Sequence, residues 1–344
     1  MVTVVIGSYF EDEHVRRISD VDGRLRVLYR EDLVPPPRWP GDHAGPEGWR
    51  RAPEEEEEFL AMLGEAEVLY DFPPGHVRDL TEVAPGLRWV QASMAGAGEV
   101  AKNAGLLETD VVVTTASGVY SNPLAEFALM AMLQDAKNLD RLRRDKAAKT
   151  WRQIDTGTLE GKTLCVVGMG SIGRAIADRA RPFGMRVVGV KRTVGEDDPA
   201  WEHADELYVT GRLHDALGEA DYVAVALPGT PETRHLVDAE AIGATKPGAY
   251  FVNVGRGTVV DEGALVEALE GGHLSGAALD VFEVEPLPEE SPLWELENVM
   301  ISPHSTDMVP ALINKRQTDL FCENLRRYLA GESLLNVLDK RLLY

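Results

Sequence analysis

Short apolar runs alternate with polar and helical stretches along the first part of the chain. Up to about residue 110 these runs are TVVIGSYF, LRVLYR, EVLYDF, LRWVQAS and VVVTTAS. Apolar runs of this length between helical segments predict parallel β-strands that are covered on both faces. Residues 34–49, VPPPRWPGDHAGPEGW, are dense in Pro and Gly and predict a surface loop.

From residue 122 onward the pattern becomes more helical. The stretch NPLAEFALMAMLQDAKNLDRLRRDKAAKTW has apolar residues at helical spacing and a basic end, which predicts one long helix. A strand, a glycine turn, a helix and a second strand are predicted in TLCVVGMGSIGRAIADRARPFGMRVVGVKRT. Further strands are predicted in DYVAVALPG, AYFVNVGRG, GAALDVF and NVMISPHS. The amphipathic stretch PALINKRQTDLFCENLRRYLAGE predicts a terminal helix that stops at a Gly.

Length and charge limit the classes of protein that fit this pattern. A chain of 344 residues suits two α/β domains better than a single core. With 35 basic and 57 acidic residues, the net charge of −22 argues against nucleic acid and anionic membrane as partners. No stretch approaches the roughly 18 apolar residues of a membrane span. The first residues show no basic leader, so we expect no signal peptide.

The two cysteines and the acidic residues add little further chemistry. Cys165 and Cys322 lie far apart without metal-ligand spacing, so we expect no metal site and a reducing compartment, the cytoplasm. The run of Glu at residues 54–58 predicts the exposed start of a helix, where acidic side chains suit the helix dipole. The overall acid excess fits either a high-salt cytoplasm or a background rich in Glu and Arg.

Gly168, Gly170 and Gly173 form a G-x-G-x-x-G turn in the setting that a dinucleotide site requires. The turn follows the buried strand TLCVV and opens the helix SIGRAIADRA. The first Gly permits a tight turn, the second lets the backbone approach a pyrophosphate, and the third lets helix and strand pack closely. Backbone N–H groups of Ser171 and Ile172 would then face the phosphates. The alternative is a glycine-rich turn without a ligand.

The end of the next strand, MRVVGV, indicates which dinucleotide binds. A site for NAD places an acidic residue there to accept hydrogen bonds from the ribose hydroxyls, but this chain continues with Lys191, Arg192 and Thr193. Cations at this place suit a 2′-phosphate. The sequence therefore favours NADP(H), with NAD(H) as the alternative; the two basic side chains could instead point into solvent.

Three further motifs complete a resemblance to a known family. VNVGRG places Arg256 after a strand, GAALDVFEVEPLP carries Asp280 and Glu285, and ISPHS carries His304. With the glycine turn, their order and character resemble the D-2-hydroxyacid dehydrogenases, and among them most the NADP-dependent glyoxylate/hydroxypyruvate reductases. The resemblance runs from about residue 87, through LPGTPETRHLVD, to GESLLNVLD, and is weaker over the first 85 residues or so.

The resemblance implies a catalytic role for each of these side chains, and the chemistry of each suits it. Arg256 offers a planar guanidinium for a substrate carboxylate. His304 is the expected general acid on the substrate carbonyl oxygen. Glu285, directly before a Pro, should pair with His304 and hold its orientation, whereas Glu283 precedes no Pro and is the weaker candidate. Asp280 should meet the nicotinamide carboxamide.

The resemblance also implies binding residues outside these motifs. The loop SMAGAGEV should offer backbone N–H groups of Ala95 and Gly96 to the substrate carboxylate, although it has one Gly more than expected. Ser305 and Thr306 replace the apolar-glycine pair that is usual after the catalytic His, which would alter the shape of the pocket. Further residues expected at the cofactor are Leu227, Pro228, Thr233, Val254 and Gly255.

The resemblance predicts two doubly wound parallel-sheet α/β domains with the active site in the cleft between them. Residues 1–118 plus 309–344 should form a flavodoxin-like substrate domain, and residues 119–308 a Rossmann cofactor domain through which two subunits pair as a homodimer. The expected activity is reduction of a small 2-keto acid such as glyoxylate or hydroxypyruvate by NADPH.

Other functions of related sequences compete with this prediction. A formate dehydrogenase would carry Gln where Glu285 stands, and phosphoglycerate dehydrogenases with regulatory domains are longer. The alternative from another class is a nucleotide-sensing, corepressor-like binding protein, because such proteins share the fold and keep the Arg, Glu and His.

Overall fold

The structure, a computed structural model, describes residues 1–39, 42–43 and 45–344. The chain divides into two compact units, Met1–Tyr120 with Met308–Tyr344, and Ser121–Asp307. Each unit contains one sheet in which every strand pair is parallel. The predicted α/β class with two parallel-sheet units is therefore confirmed. The assignment of substrate and cofactor roles to the two units stays a prediction.

The first unit contains a five-stranded sheet with the order β2-β1-β3-β4-β5, which is the flavodoxin-like order. Its strands are β1 Val2–Ile6, β2 Leu25–Leu28, β3 Val68–Tyr70, β4 Trp89–Gln91 and β5 Val112–Thr114. Its first helices are α1 Asp12–Ser19, α2 Pro53–Gly64, α3 Leu80–Val83 and α4 Gly98–Asn103, with a 3₁₀ turn at Glu31–Leu33. The acidic run at residues 54–58 falls in the first turns of α2.

The predicted surface loop at residues 34–49 contains no helix or strand among its described residues. Residues 40, 41 and 44 of this loop lie outside the described residues.

The second unit contains a seven-stranded sheet with the order β12-β11-β10-β9-β6-β7-β8, which is the Rossmann order with one further edge strand. Its strands are β6 Thr163–Val167, β7 Arg186–Lys191, β8 Glu206–Val209, β9 Tyr222–Val225, β10 Ala249–Asn253, β11 Leu274–Leu279 and β12 Val299–Ile301. Its helices are α5 Ser121–Ala136, α6 Leu139–Ala147, α7 Ser171–Ala180, α8 Leu213–Gly218, α9 Ala239–Ala244 and α10 Glu262–Glu270. Short 3₁₀ turns lie at Arg181–Phe183, Pro199–Glu202, Thr210–Arg212, Gly257–Val259 and Pro292–Trp294.

The last helix of the chain, α11 Pro310–Ala330, belongs to the first unit. Phe321, Cys322 and Leu325 of this helix pack against the strands of the first sheet in one buried cluster. The helix ends at Gly331, whose φ of 72° is the left-handed conformation that favours Gly. No helix among the described residues is both long and apolar enough to cross a bilayer.

The helix predicted to start at residue 122 is broken into α5 and α6, so the prediction of one continuous helix was wrong. The break lies at Asn138, whose φ of 51° is left-handed, a conformation that Asn tolerates better than most residues. Its side-chain amide donates to the Asp155 carbonyl at 2.8 Å, and the Lys137 ammonium donates to the Gly157 carbonyl at 2.8 Å. Contacts made about 20 residues later therefore fix the turn, and helical periodicity does not reveal them.

Candidate active site

The glycine turn connects β6 to α7 at the switch point of the Rossmann sheet. Gly168 has a φ of 108°, and a Cβ added there would lie 2.8 Å from the Ala226 carbonyl oxygen. A Cβ on Gly173 would lie 2.0 Å from the Gly168 carbonyl oxygen, whereas a Cβ on Gly170 would meet no described atom within 4 Å. Packing therefore requires the first and third Gly, and the second faces open space. This cradle fits a dinucleotide pyrophosphate, with Ser171 and Ile172 opening α7 behind it.

The end of β7 carries basic side chains together with one acid that sequence reasoning missed. Lys191 is the last residue of β7, and its ammonium donates to both carboxylate oxygens of Asp198 at 2.6 Å. Arg192 and Thr193 follow and are exposed. The Asp-Pro pair at residues 198–199 predicts a helix N-cap, and Asp198 does accept from the Ala200 N–H at 2.9 Å. Nothing in the sequence indicates that the same carboxylate returns to the strand end.

The turn after β10 presents Arg256 and is shaped by its neighbours. The Asn253 side chain accepts from the Gly255 N–H at 3.0 Å and donates to the Arg256 carbonyl at 3.2 Å, which closes the turn. A Cβ on Gly255 would lie 2.6 Å from the Leu227 carbonyl oxygen, and one on Gly257 would lie 1.9 Å from the Phe282 backbone. These approaches explain both Gly residues of the N-x-G-R-G motif. The Arg256 side chain is exposed, and the approach of Gly257 to the Phe282 backbone places this turn beside the segment that carries Glu285.

Glu285 and His304 form a hydrogen-bonded pair. His304 Nδ1 lies 2.8 Å from Glu285 Oε2, and Glu285 Oε1 accepts from the Phe282 N–H at 3.0 Å. The His304 side chain is 40% exposed, and the Glu285 side chain is 36% exposed. A carboxylate on Nδ1 selects the tautomer with the proton there and directs Nε2 outward. The backbone of His304 has a φ of 50°, a conformation that is rare for a non-Gly residue and that concentrates at functional sites.

Asp280 holds the turn that carries His304. The residue is 1% exposed; its Oδ1 accepts from the Ser305 and Thr306 N–H groups at 3.0 and 3.3 Å, and its Oδ2 accepts from the Thr306 hydroxyl at 2.7 Å. These three bonds hold the left-handed conformation of His304 in place. A contact of Asp280 with the nicotinamide stays a prediction. Thr306 departs from the apolar-glycine pair that is usual at this place in the family, and its hydroxyl is a structural part of this turn.

Glu283, the weaker candidate for pairing with His304, binds other partners. Its Oε1 lies 2.6 Å from His235 Nε2 and 2.9 Å from an Arg234 nitrogen, and its backbone N–H donates to Glu262 at 3.0 Å. The two carboxyl groups of Glu-x-Glu-Pro therefore point to different parts of the unit.

Asp307 is a further carboxyl group close enough to His304 and Arg256 to interact with their charges, and sequence reasoning missed it. Burial raises its pKa, and the negative charge of Asp280 raises it further, while the nearby charges of His304 and Arg256 act in the opposite direction. Its position three residues after His304 was the available signal, but neither burial nor these neighbours can be read from that spacing.

The loop after β9 lies between the glycine turn and Arg256. The Leu227 side chain lies 2.9 Å from the Cβ position of Gly168, and the Cβ position of Gly229 lies 3.3 Å from Arg256 Cγ. The Thr233 hydroxyl donates to the Pro228 carbonyl at 2.7 Å and fixes the bend of the loop. The structure thus brings the predicted cofactor residues around β6, β9 and β10 into one region of the second unit.

The remaining predicted binding residues lie in the first unit. Ala95 and Gly96 follow β4, where Ala95 is half-buried and Gly96 is exposed. The substrate-binding roles of Ala95 and Gly96 stay predictions. In the described part of the chain, no three His, Cys, Asp or Glu side chains gather as a metal site requires.

A Rossmann sheet with a glycine turn, an exposed Arg and a Glu–His pair in the same unit is typical of nicotinamide-dependent oxidoreductases. Residues 129–306 match the family described as D-isomer specific 2-hydroxyacid dehydrogenase, NAD binding domain. The chain belongs to this family of dehydrogenases.

Relatives with known names support the same assignment. The chain is 35% identical to a glyoxylate reductase of Korarchaeum cryptofilum, over 76% of this chain and 79% of the relative. It is also 35% identical to a D-3-phosphoglycerate dehydrogenase of Mycobacterium tuberculosis, over 83% of this chain but only 53% of the relative. The chain therefore spans about half the length of the phosphoglycerate dehydrogenases that it matches.

Solved structures resemble the whole chain. A D-isomer specific 2-hydroxyacid dehydrogenase of Xanthobacter autotrophicus Py2 in complex with NADPH and MES is 29% identical with a TM-score of 0.78, covering 100% of this chain and 99% of the other. An NADPH-dependent glyoxylate/hydroxypyruvate reductase of Sinorhizobium meliloti in complex with NADP and sulfate is 25% identical with a TM-score of 0.77, covering 100% of both chains.

Proposed function

We propose that this dehydrogenase reduces a small 2-keto acid, glyoxylate or hydroxypyruvate, to the corresponding 2-hydroxy acid with NADPH. The observation that carries the proposal is the 2.8 Å pair of His304 and Glu285 in the unit that also holds Arg256 and the glycine turn.

Each side chain has a role that its chemistry supports. The Arg256 guanidinium binds the substrate carboxylate and orients the neighbouring carbonyl group. His304, held through Nδ1 by Glu285, donates the proton on Nε2 to the carbonyl oxygen. When bound, the nicotinamide supplies the hydride that the carbonyl carbon accepts. One hydride and one proton convert the keto acid to the hydroxy acid, and the imidazole, 40% exposed, regains its proton from solvent.

The preference for NADPH is supported by the residues that follow β7. Lys191 and Arg192 stand where a site for NAD places an acidic residue, and solved relatives bind NADPH or NADP. Arg192→Ala is expected to weaken NADPH binding more than NADH binding, which fluorescence titration measures; equal losses would contradict a role at the 2′-phosphate.

The remaining parts of the proposal concern the assembly and its setting. We propose that the second unit holds the cofactor, that Ala95 and Gly96 of the first unit bind the substrate carboxylate, and that two chains pair through the cofactor unit. We also propose a cytoplasmic enzyme, a location supported by two free, buried cysteines.

A steady-state assay with a panel of 2-keto acids tests the function. The wild-type protein should oxidise NADPH with glyoxylate or hydroxypyruvate, and His304→Gln should reduce kcat by about 10²- to 10⁴-fold while leaving the Kd for NADPH unchanged. His273→Gln is the matched control. His273 directly precedes β11, at the amino-terminal end of that strand, and its ring contacts the Thr245 hydroxyl. Tight NADPH binding without turnover of any keto acid would contradict the proposal and favour the nucleotide-sensing alternative. Wild-type turnover by His304→Gln would remove His304 from the mechanism.

A further inference from the structure

The acid that sequence reasoning missed lies beside the end of β7. Both carboxylate oxygens of Asp198 accept from the Lys191 ammonium at 2.6 Å. The Asp198 side chain is only 11% exposed, and that of Lys191 is 25% exposed. The same carboxylate accepts from the Ala200 N–H and so begins the 3₁₀ turn Pro199–Glu202. Two independent anchors therefore hold it in place.

This pair is adjacent to the glycine turn. In the sheet Val190 is the partner of Val167, and the Gly168 N–H donates to the Val190 carbonyl at 3.0 Å. Lys191 is the next residue, at the carboxyl end of β7 and beside the start of the turn. In a Rossmann fold this strand end is where the adenosine ribose of a dinucleotide lies. The Lys191–Asp198 pair thus stands at the position that distinguishes a 2′-hydroxyl from a 2′-phosphate.

The Asp198 carboxyl is held in its charged form. The hydrogen bond from Lys191 and that from the Ala200 N–H lower its pKa below the usual range, and the nearby positive charge of Arg174 contributes in the same direction. A negative charge therefore stands among the basic side chains that would attract a 2′-phosphate. The charge of Lys191 is largely compensated within the protein.

We infer, on the basis of the proposed function, that Asp198 is a selectivity-determining residue of the cofactor site that weakens NADPH binding relative to NADH. Its carboxylate repels a phosphate at the ribose 2′ position, and it can accept a hydrogen bond from a 2′-hydroxyl, which is the role of the acidic residue missing from the end of β7. The acid thus lies seven positions after Lys191, the last residue of the strand that it serves.

Titration of the two reduced cofactors tests this inference without turnover. The Kd values for NADPH and NADH are measured by nicotinamide fluorescence for the wild type, Asp198→Asn and Asp198→Ser. Asn and Ser both keep the N-cap while removing the charge. The ratio of the NADH Kd to the NADPH Kd should rise about tenfold in both variants, the size expected when one charge near a dianionic phosphate is removed at a partly exposed site.

Glu270→Gln is the matched control, because it removes one negative charge at the exposed end of α10, which leads to the opposite, amino-terminal edge of the sheet. Its Kd ratio should equal that of the wild type. An unchanged ratio in folded Asp198 variants, or an equal change in the control, would overturn the inference and leave the proposed function intact. Failure of the wild type to bind either cofactor would instead overturn the proposed function.

A second comparison tests the compensation of Lys191 directly. Lys191→Gln should weaken NADPH binding only a few-fold in the wild-type background but about tenfold in the Asp198→Asn background, because the released ammonium then faces the phosphate. Equal losses in both backgrounds would show that Asp198 does not restrain Lys191.

Discussion

Replacing Thr306 by Val removes one of the bonds that hold the turn that carries His304, while the size and branching of the side chain at residue 306 stay the same. The Thr306 hydroxyl donates to the buried Asp280 carboxylate at 2.7 Å, whereas the backbone N–H groups of Ser305 and Thr306 reach the same group at 3.0 and 3.3 Å. The variant keeps the two backbone donors and loses the shortest of the three bonds. His304, with its φ of 50°, is the neighbour that this turn must hold.

The magnitude follows from the kind of bond that is lost. A hydrogen bond to a charged group contributes about 1.5–3 kcal/mol, and Asp280 is 1% exposed, so water replaces the donor poorly. If the whole loss acts on the turn, kcat falls by about 10- to 150-fold. If it acts on global unfolding, the melting temperature of a unit of this size falls by about 3–12 °C.

The assay combines turnover with thermal unfolding. Thr306→Val is compared with Thr306→Ser, which keeps the hydroxyl and should retain most activity. A pH profile of kcat separates the two effects, because a displaced His304 changes the profile whereas a simple loss of folded protein only lowers it. Thr306→Val with the kcat, pH profile and melting temperature of the wild type would refute a positioning role for the bond between the Thr306 hydroxyl and Asp280.

Three further variants test other parts of the structure. Gly257→Ala should abolish turnover and destabilise the protein by roughly 1–3 kcal/mol, because the new Cβ would lie 1.9 Å from the Phe282 backbone, whereas Gly263→Ala in α10 should be tolerated in the same urea titration. Asp307 has a raised pKa from burial, so its ionised form costs stability. Asp307→Asn should therefore stabilise the protein at neutral pH, by an amount that shrinks as pH falls toward the usual aspartate range; a gain independent of pH would contradict this. His76 has a raised pKa because its bonds to Asp79 and Glu56 outweigh burial. Its stabilising contribution is present below about pH 6.5 and lost as pH rises through the raised value, so His76→Gln should cost more near pH 6 than near pH 9 in urea titrations, and equal costs would contradict the charged pairing.

The sequence predicted the fold because its strands, helices and glycine turn depend on local signals. Buried strands such as β6 appear as continuous apolar runs, and the glycine turn carries its own spacing. The resemblance could place Gly257 of the N-x-G-R-G motif. The requirement for Gly there comes from the approach of the Phe282 backbone, which belongs to a distant segment.

What the sequence could not provide are contacts between segments that are far apart along the chain. Asp198 returns to β7, and Asp280 binds a turn 25 residues later. The α5–α6 break depends on carbonyls beyond residue 150. In each case a polar side chain finds its partner through the tertiary fold, and neither propensity nor periodicity contains that information.

Deuterium transfer from the cofactor to the substrate tests the proposed hydride transfer. NADPH with deuterium at both C4 positions of the nicotinamide is incubated with the keto acid that the panel selects, and the product is analysed by mass spectrometry. The wild type should give a 2-hydroxy acid with deuterium on C2, and His304→Gln and Arg256→Gln should give at most trace product. Product without deuterium, or equal labelled product from both variants and the wild type, would contradict the proposed transfer.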